Sequence, residues 1–334
     1  MRGSGTGVKL RIDVNKLQQF SIAALTLLIM VVSVTRTHNV PLWLGNLLTD
    51  AAIVGIIAVG MTFVIVAGGF DLSVGSIAAV CGCVAVLMMK AMPQASTPLA
   101  ITIAVAVTLA AGAVLGAVNG GLIAYVGVNP FVVTLSTMFV FRGIGLVLTG
   151  GGQSQVVPME HAETYRLFYW HGFNVLGLKI SLPVIFFIVV FIIGIYLLRF
   201  TRFGHYIYAT GGNARATWLA GINTRAVVAA TYIISGMVSA IAALIWTGLS
   251  TTAQASDYAG REMIVIASVI VGGTPLGGGR GGLLATLAGL LLLSALDQML
   301  TQFGVDPQYR QIVTGVIIVT AVTLDTMMKK KAIA

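Results

Sequence analysis

Ten apolar stretches, set apart by short polar or glycine-rich interruptions, constrain this chain of 334 residues more than any other feature. They run from Leu17 to Thr35, Asp50 to Ala67, Val74 to Met89, Leu99 to Val118, Phe131 to Leu148, Leu182 to Leu198, Ala226 to Leu249, Met263 to Pro275, Gly282 to Phe303 and Gln311 to Met327. A helix needs about 20 mainly apolar residues to cross a hydrocarbon core, and in lipid every backbone N–H and C=O must find its partner inside the protein. The pattern predicts an all-α, polytopic membrane protein of about ten transmembrane helices, the eighth short and the second and third nearly continuous. With 57% hydrophobic and 9% charged residues, the chain cannot build a water-soluble domain.

A single transmembrane domain is expected over 17–327, between a basic N-terminal tail at 1–16 and a basic C-terminal tail at 328–334. Placing the N-terminus in the cytoplasm puts twelve basic residues inside (Arg2, Lys9, Arg11, Lys16, Arg199, Arg202, Arg215, Arg225, Arg280, Lys329, Lys330, Lys331) against six outside (Arg36, Lys90, Arg166, Lys179, Arg261, Arg310). The positive-inside rule then assigns both termini and the polar loop at 199–225, the arm, to the cytoplasm, and the loop at 149–181 to the other side. No small-residue cleavage site follows the first apolar run, so it is read as a retained span. The net charge of +9 sits in short segments flanking the spans, where lipid headgroups and topology explain it without nucleic acid.

The arm reads RFTRFGHYIYATGGNARATWLAGINTR. Gly211 and Gly212 lead into Asn213, whose side chain can cap the free N–H groups of a short helix from Ala214 to Ala220, and Gly221 can close it in the left-handed conformation. A knob of this kind on a membrane protein calls for something to dock on it.

Catalytic chemistry is hard to find. Cys81 and Cys83 lie within the third span without a neighbouring ligand and read as small packing residues. His38, His161, His171 and His205 fall in loops or at span ends and read as scattered, solvated side chains, so no metal or cofactor is expected. The run Gly272 to Gly282, GGTPLGGGRGG, contains no Gly-Lys-Ser/Thr, so the chain lacks the phosphate loop that would let it bind ATP itself.

Two apolar helices break in a similar way. In IVAGGFDLSVGS (65–76) and IVGGTPLGGGR (270–280), Gly68, Gly69, Leu72 and Gly75 align with Gly272, Gly273, Leu276 and Gly279, with Ala67 as an extra residue. Paired Gly-rich broken-helix elements point to an internal repeat and a central path, because unwound backbone survives in a membrane only where it faces protein or water. Asp71 directly follows the first break. A charge at mid-membrane costs about 2.5–3.5 kcal/mol, so Asp71 either caps the third span beside Ser73 and Ser76 or lies on the path. Arg142 and Asp297 are further charges within spans, and pairing with each other or with Asp71 would offset their cost. Gly112, Gly116 and Gly120 recur every four residues, a spacing for close helix approach in lipid.

Several of these segments in the same order, GMTFVIVAGGFDLSVGS (60–76), Asn119 to Leu135, Arg142-Gly143, Thr201 to Asn223 and Gly272 to Gly279, resemble the permease subunits of bacterial ABC importers for monosaccharides. That is the ribose, xylose, arabinose and galactose group. The resemblance covers roughly Asn46 to Asp325, and the stretch from Asn46 to Ser76 is similar to permeases for furanose sugars. It implies a non-enzymatic pore subunit of the bacterial inner membrane, working with a second permease copy or paralogue. A periplasmic sugar-binding protein would feed it and a separate cytoplasmic ABC ATPase would drive it.

By the resemblance, the ATPase would be met by Gly211, Gly212, Asn213, Ala214, Arg215, Trp218, Leu219, Gly221 and Asn223. Gly68, Gly69, Phe70, Asp71, Ser73, Asn129, Arg142, Gly272, Gly273 and Thr274 are the expected pathway. Phe70, Pro275 and Arg261 to Ile264 depart from the family pattern near that path and leave the sugar open. The outer segment Thr149 to Ile180, with Gln153, Gln155, Glu160, His161, Glu163, Tyr165, Tyr169 and Trp170, is expected either to meet the binding protein or to lie at the headgroup level. An ion-coupled secondary transporter, and an ABC permease for a nucleoside or branched-chain amino acid, are the competing expectations.

Overall fold

The computed structural model describes residues 14–37, 39–170, 172–175, 178–306, 308–316, 319–320 and 323. His38, His171, Asp325, Lys329 to Lys331 and the outer parts of both expected tails lie outside the described residues. The described chain is a bundle of helices: α1 (Val14–Val34), α2 (Val40–Val66), α3 (Val74–Lys90), α4 (Thr97–Gly121), α5 (Pro130–Leu148), α6 (Met159–Trp170), α7 (Leu182–Phe200), α8 (Arg202–Leu219), α9 (Thr224–Ser250), α10 (Arg261–Val271) and α11 (Leu283–Gln302). A π-helical turn, Leu122–Val126, extends α4.

Six helices among the described residues are long and apolar enough to cross a membrane: α2, α4 with its π turn, α5, α7, α9 and α11. Those six agree with expected spans, and the protein is a polytopic, all-α membrane protein. The expected eighth span is only 11 residues long as α10, about 16 Å, roughly half of a hydrocarbon core. Helix starts are written locally. Pro41, Pro98, Pro130 and Pro183 occupy first-turn positions of α2, α4, α5 and α7, where a missing N–H costs nothing. Asn39, Asn129 and Asn223 cap α2, α5 and α9 by accepting from Leu42 N, Phe131 N and Ala226 N at 3.0, 2.9 and 3.1 Å.

α2 is the axis of the bundle, buried along nearly its whole length by α9, α7, α11, α10 and others. Ile53, Ile56, Ile57, Met61 and Ile65 of α2 join Ile77 and Met89 of α3, and Ala242, Ala243 and Ile245 of α9, in one apolar core. The glycine row of α4 packs against α9. A Cβ at Gly112 would lie 2.5 Å from Gly236 O, one at Gly120 would lie 2.8 Å from Ala229 O, and one at Gly116 would strike Tyr232 O. Backbones meet directly here, so dispersion contacts replace the hydrophobic drive that lipid removes.

Three expectations need correcting. The arm at 199–225 is mostly helical from Arg202, because nothing between Phe203 and Thr210 breaks a helix. The outer segment at 149–181 is not a plain loop: it contains α6, a two-stranded pairing of Gln155–Val156 with Thr252–Ala253, and a hairpin of Phe173–Val175 with Leu178–Ile180. Within it His161 is buried, not solvated, with its ring nitrogens near Thr97 Oγ1 and Met92 O, both at 3.2 Å. Tyr165 is wholly buried, its hydroxyl donating to Leu244 O at 3.1 Å and lying 2.8 Å from Thr247 Oγ1, so it anchors α6 to α9 and is closed to any partner. Gln153, Glu160 and Glu163 remain exposed.

Gly116→Val should separate α4 from α9 and destabilise the purified protein by about 1–3 kcal/mol, read as a lowered unfolding midpoint in detergent. Gly121→Ala, where a Cβ meets nothing within 4 Å, should unfold as the wild type does.

Candidate functional site

The two helix breaks close identically. After α2, Gly68 takes a φ of +85°, Gly68 N donates to Ile65 O at 2.9 Å and Gly69 N to Val64 O at 2.8 Å. After α10, Gly273 takes a φ of +111°, Gly273 N donates to Ile270 O at 2.9 Å and Thr274 N to Val269 O at 3.1 Å. Each is a Schellman closure, which satisfies the last carbonyls and places a left-handed residue just past the helix end. This corrects the alignment read from sequence. Ala67, Gly68 and Gly69 correspond to Gly272, Gly273 and Thr274, with no extra residue, because the residue of positive φ fixes the register. The correspondence stops there: Leu72 is buried while Leu276 is exposed, and Gly75 starts α3 while Gly279 lies in a loop.

The two breaks and the arm meet at a joint made of backbone. Val66 O, at the end of α2, accepts from Gly279 N at 2.9 Å. A Cβ at Gly211 would collide with Val66 O and lie 2.7 Å from Gly279 N. One at Gly279 would lie 2.7 Å from Gly212 Cα, and one at Gly278 would lie 2.7 Å from Gly68 N. Gly211, Gly278 and Gly279 therefore leave no room for a side chain at this contact, and Gly68 carries its positive φ, whereas a Cβ on Gly212 would meet nothing within 4 Å. Gly211, expected to lead into the short helix and to meet the ATPase, is packed against the end of α2 and Gly279.

Beyond the joint, Asn213 departs from helical geometry at φ −160° and ψ 93°, dividing α8 into Arg202–Gly212 and Ala214–Leu219. Its Oδ1 accepts from Ala216 N at 2.9 Å, and Gly221 closes the second piece at φ +86°, as the sequence predicts. Thr217 faces inward and donates to Asn213 O at 2.9 Å. Trp218 and Leu219 are 55% and 69% exposed, with the Arg215 guanidinium 5.0 Å from the centre of the Trp218 ring. Asn223 serves as the cap of α9.

Asp71 is fully buried. Its Oδ1 accepts from Ser73 N at 2.9 Å and Ser73 Oγ at 2.6 Å, and its Oδ2 from Ser235 Oγ at 3.3 Å. Asn119 Nδ2 donates to Ser73 Oγ at 2.7 Å. Three donors to one carboxylate offset much of its desolvation. Asp71 thus fastens Ser73, the residue that opens α3, without capping the helix's own first turn. Phe70 is held next to it, since Tyr232 Oη donates to Phe70 O at 3.0 Å and accepts from Phe70 N at 3.2 Å. Sequence reasoning missed Asn119, Tyr232 and Ser235. The last two stand three residues apart, hence on one face of α9, and that spacing was the available signal.

The expected pairing of Asp71 with Arg142 or Asp297 does not occur. Arg142 Nη1 donates to Ala255 O at 2.7 Å and Asp257 O at 3.4 Å, and Asp297 forms an ion pair with Arg310 at 3.4 Å. Backbone carbonyls carry no sequence signal, so the guanidinium's partner was invisible. Asn129 is exposed and caps α5. Thr274 is buried, its Oγ1 accepting from Gly282 N at 3.3 Å. The nominated residues thus fall into two linked breaks, with Asn129 and Arg142 set apart from them on or beside α5.

Residues 43–322 match a family described as branched-chain amino acid transport system / permease component. The ribose import permease protein RbsC of Escherichia coli K12 is 38% identical over 310 residues, covering 92% of this chain and 94% of that protein. RbsC of Bacillus subtilis 168 is 39% identical over 306 residues, covering 90% of each chain. The autoinducer 2 import system permease protein LsrD of Yersinia enterocolitica is 32% identical over 274 residues, covering 82% of this chain and 80% of that protein. No solved structure matches the chain.

The node at Asp71 can be tested on stability alone. Asp71→Ala strands the buried donors of Ser73 and Ser235 and should cost about 1–3 kcal/mol, measured by thermal unfolding of the purified protein. Asp71→Asn keeps an acceptor oxygen and should lose less.

Proposed function

The chain belongs to the branched-chain amino acid transport system / permease component family, and on that premise we propose that it is the permease of an ABC importer for a monosaccharide, with ribose the first candidate. It is a transport component, not an enzyme. Near-complete overlap with ribose import permeases of several bacteria is the observation that supports the sugar. The family description favours a branched-chain amino acid as the second reading. An ion relay through Asp71, Arg142 and Asp297 finds no support, since these residues occupy three separate settings.

In this reading the helix Ala214–Leu219 sits in a groove of a cytoplasmic ABC ATPase, with exposed Trp218 and Leu219 as apolar anchors and Arg215 beside them. The glycine joint makes the helix a lever: ATP-driven displacement of the ATPase moves Gly211, which bears on the end of α2 and on the loop after α10. The path between outward and inward access runs past Gly68, Gly69, Phe70, Asp71, Ser73, Gly272, Gly273 and Thr274, with Asn129 and Arg142 on its flank. A periplasmic sugar-binding protein meets the outer face that carries Glu160 and Glu163. Two copies of the chain, or one and a paralogue, enclose the pore in the lipid of the inner membrane. Both termini are cytoplasmic, about ten spans are present, and the shared Schellman closures support an internal repeat.

With its ATPase and binding protein in proteoliposomes, the permease should take up ribose only when ATP is enclosed. Deleting Ala214 to Ala220, or Trp218→Ala, should abolish uptake while the permease still inserts; wild-type uptake by either variant would sink the coupling assignment. Gly211→Ala, whose added methyl meets backbone on two sides, should lower uptake at least about tenfold while ATPase binding persists.

A further inference from the structure

A cavity of about 650 Å³ opens between the end of α7, the arm and the start of α11. Its polar lining includes Arg199, Arg280 and Tyr208, its apolar lining includes Ile195, Leu198 and Leu284, and among the described residues no Asp or Glu lines it. Tyr208 Oη donates to Gly281 O at 2.9 Å, tying the arm to the loop that forms the floor. Burial raises the Tyr208 phenol above its usual range, and the Arg199 guanidinium opposes that shift. The first turn of α11 also borders the cavity, and its N-cap Gly282 offers no side-chain acceptor, so the dipole adds to the positive potential.

What adjoins the cavity selects the kind of anion. Ile188, Ile192, Ile195 and Arg199 follow one another at spacings of four, three and four, on a single face of α7. Ile188 and Ile192 are exposed, as is Leu284 across the groove on α11. From Ile188 to Arg199 the helix rises about 16 Å, close to the acyl depth of one leaflet in a core of about 30 Å. A cationic head site thus continues into an apolar strip as long as a lipid chain.

We propose that this cavity holds an anionic phospholipid of the cytoplasmic leaflet, its phosphate on Arg199 and Arg280 and one acyl chain along the Ile188 to Ile195 strip of α7. The leaflet rests on the orientation adopted under the proposed function. Gly273 and Gly278 belong to the same lining, so a bound headgroup buttresses the loop that forms the glycine joint. Basic pockets between helices on the cytoplasmic side recognise headgroups by this combination of charge and depth.

The test uses the full chain, reconstituted in phosphatidylcholine discs with and without phosphatidylglycerol and released for native mass spectrometry. Wild-type protein should retain phosphatidylglycerol about tenfold over an equal content of phosphatidylcholine, and the double variant Arg199→Gln/Arg280→Gln should lose that preference. Equal retention by the double variant overturns the proposal. So does displacement of the lipid by millimolar inorganic phosphate, which would mean that phosphate alone is the ligand. Disappearance of the adduct in chain dimers also overturns it, because a second copy would then fill the groove. A folding defect in the double variant is bypassed by wild-type protein with Leu284→Trp, which fills the groove, keeps both arginines and should also lose the adduct. Lipid retention is read without transport, so failure here leaves the sugar reading standing, and failure of ribose uptake leaves the lipid result intact.

Discussion

The hydrogen bond from Gly279 N to Val66 O, with the glycine backbones crowded around it, is the constraint on which the rest of the structure depends. A helix that stops against other segments leaves buried carbonyls, and each must be answered by the protein. Schellman closures answer some of them, and Val66 O is answered from another segment, 213 residues further along the chain. That answer is possible only if no side chain stands between the strands of backbone. Close backbone approach requires glycine at 211, 278 and 279, and a positive φ favours it at 68, so the arm and the segments after α2 and α10 come together at a single point.

Around that point α9 serves as a polar spine inside an apolar bundle. Tyr232 and Ser235 hold Phe70 and Asp71, while Thr247 holds Tyr165 near the other end of α9 and the glycine-lined face of α4 packs close by. Its polar side chains cost little because nearly all return a hydrogen bond to a neighbouring turn or segment. An irregular stretch from Phe70 to Ser73 can therefore be held in one geometry inside the bundle.

The sequence disclosed features whose cause is local. Apolar length marked the spans, Asn213 and Gly221 marked the ends of the short helix, and the glycine pairs marked both breaks. Features whose cause is distant were misread or unseen. The register between the breaks depends on which residue takes a positive φ, and two adjacent glycines at 272 and 273 hide that choice. His161 and Tyr165 looked like surface residues because α6 is polar along much of its length, yet each reaches a partner far away in sequence. Arg142 found carbonyls, Asp71 found hydroxyls, and neither kind of partner can be distinguished from any other residue of its type before folding.

A joint of this kind also has a direction. Repulsion between atoms at contact rises steeply, whereas dispersion attraction is shallow and a single hydrogen bond is modest. An inward displacement of Gly211 meets Val66 O and Gly279 at once, so compression passes to the end of α2 and to the loop after α10; outward displacement is opposed by far softer forces. The backbone contact therefore behaves as a mechanical rectifier, stiff under load in one sense and compliant in the other.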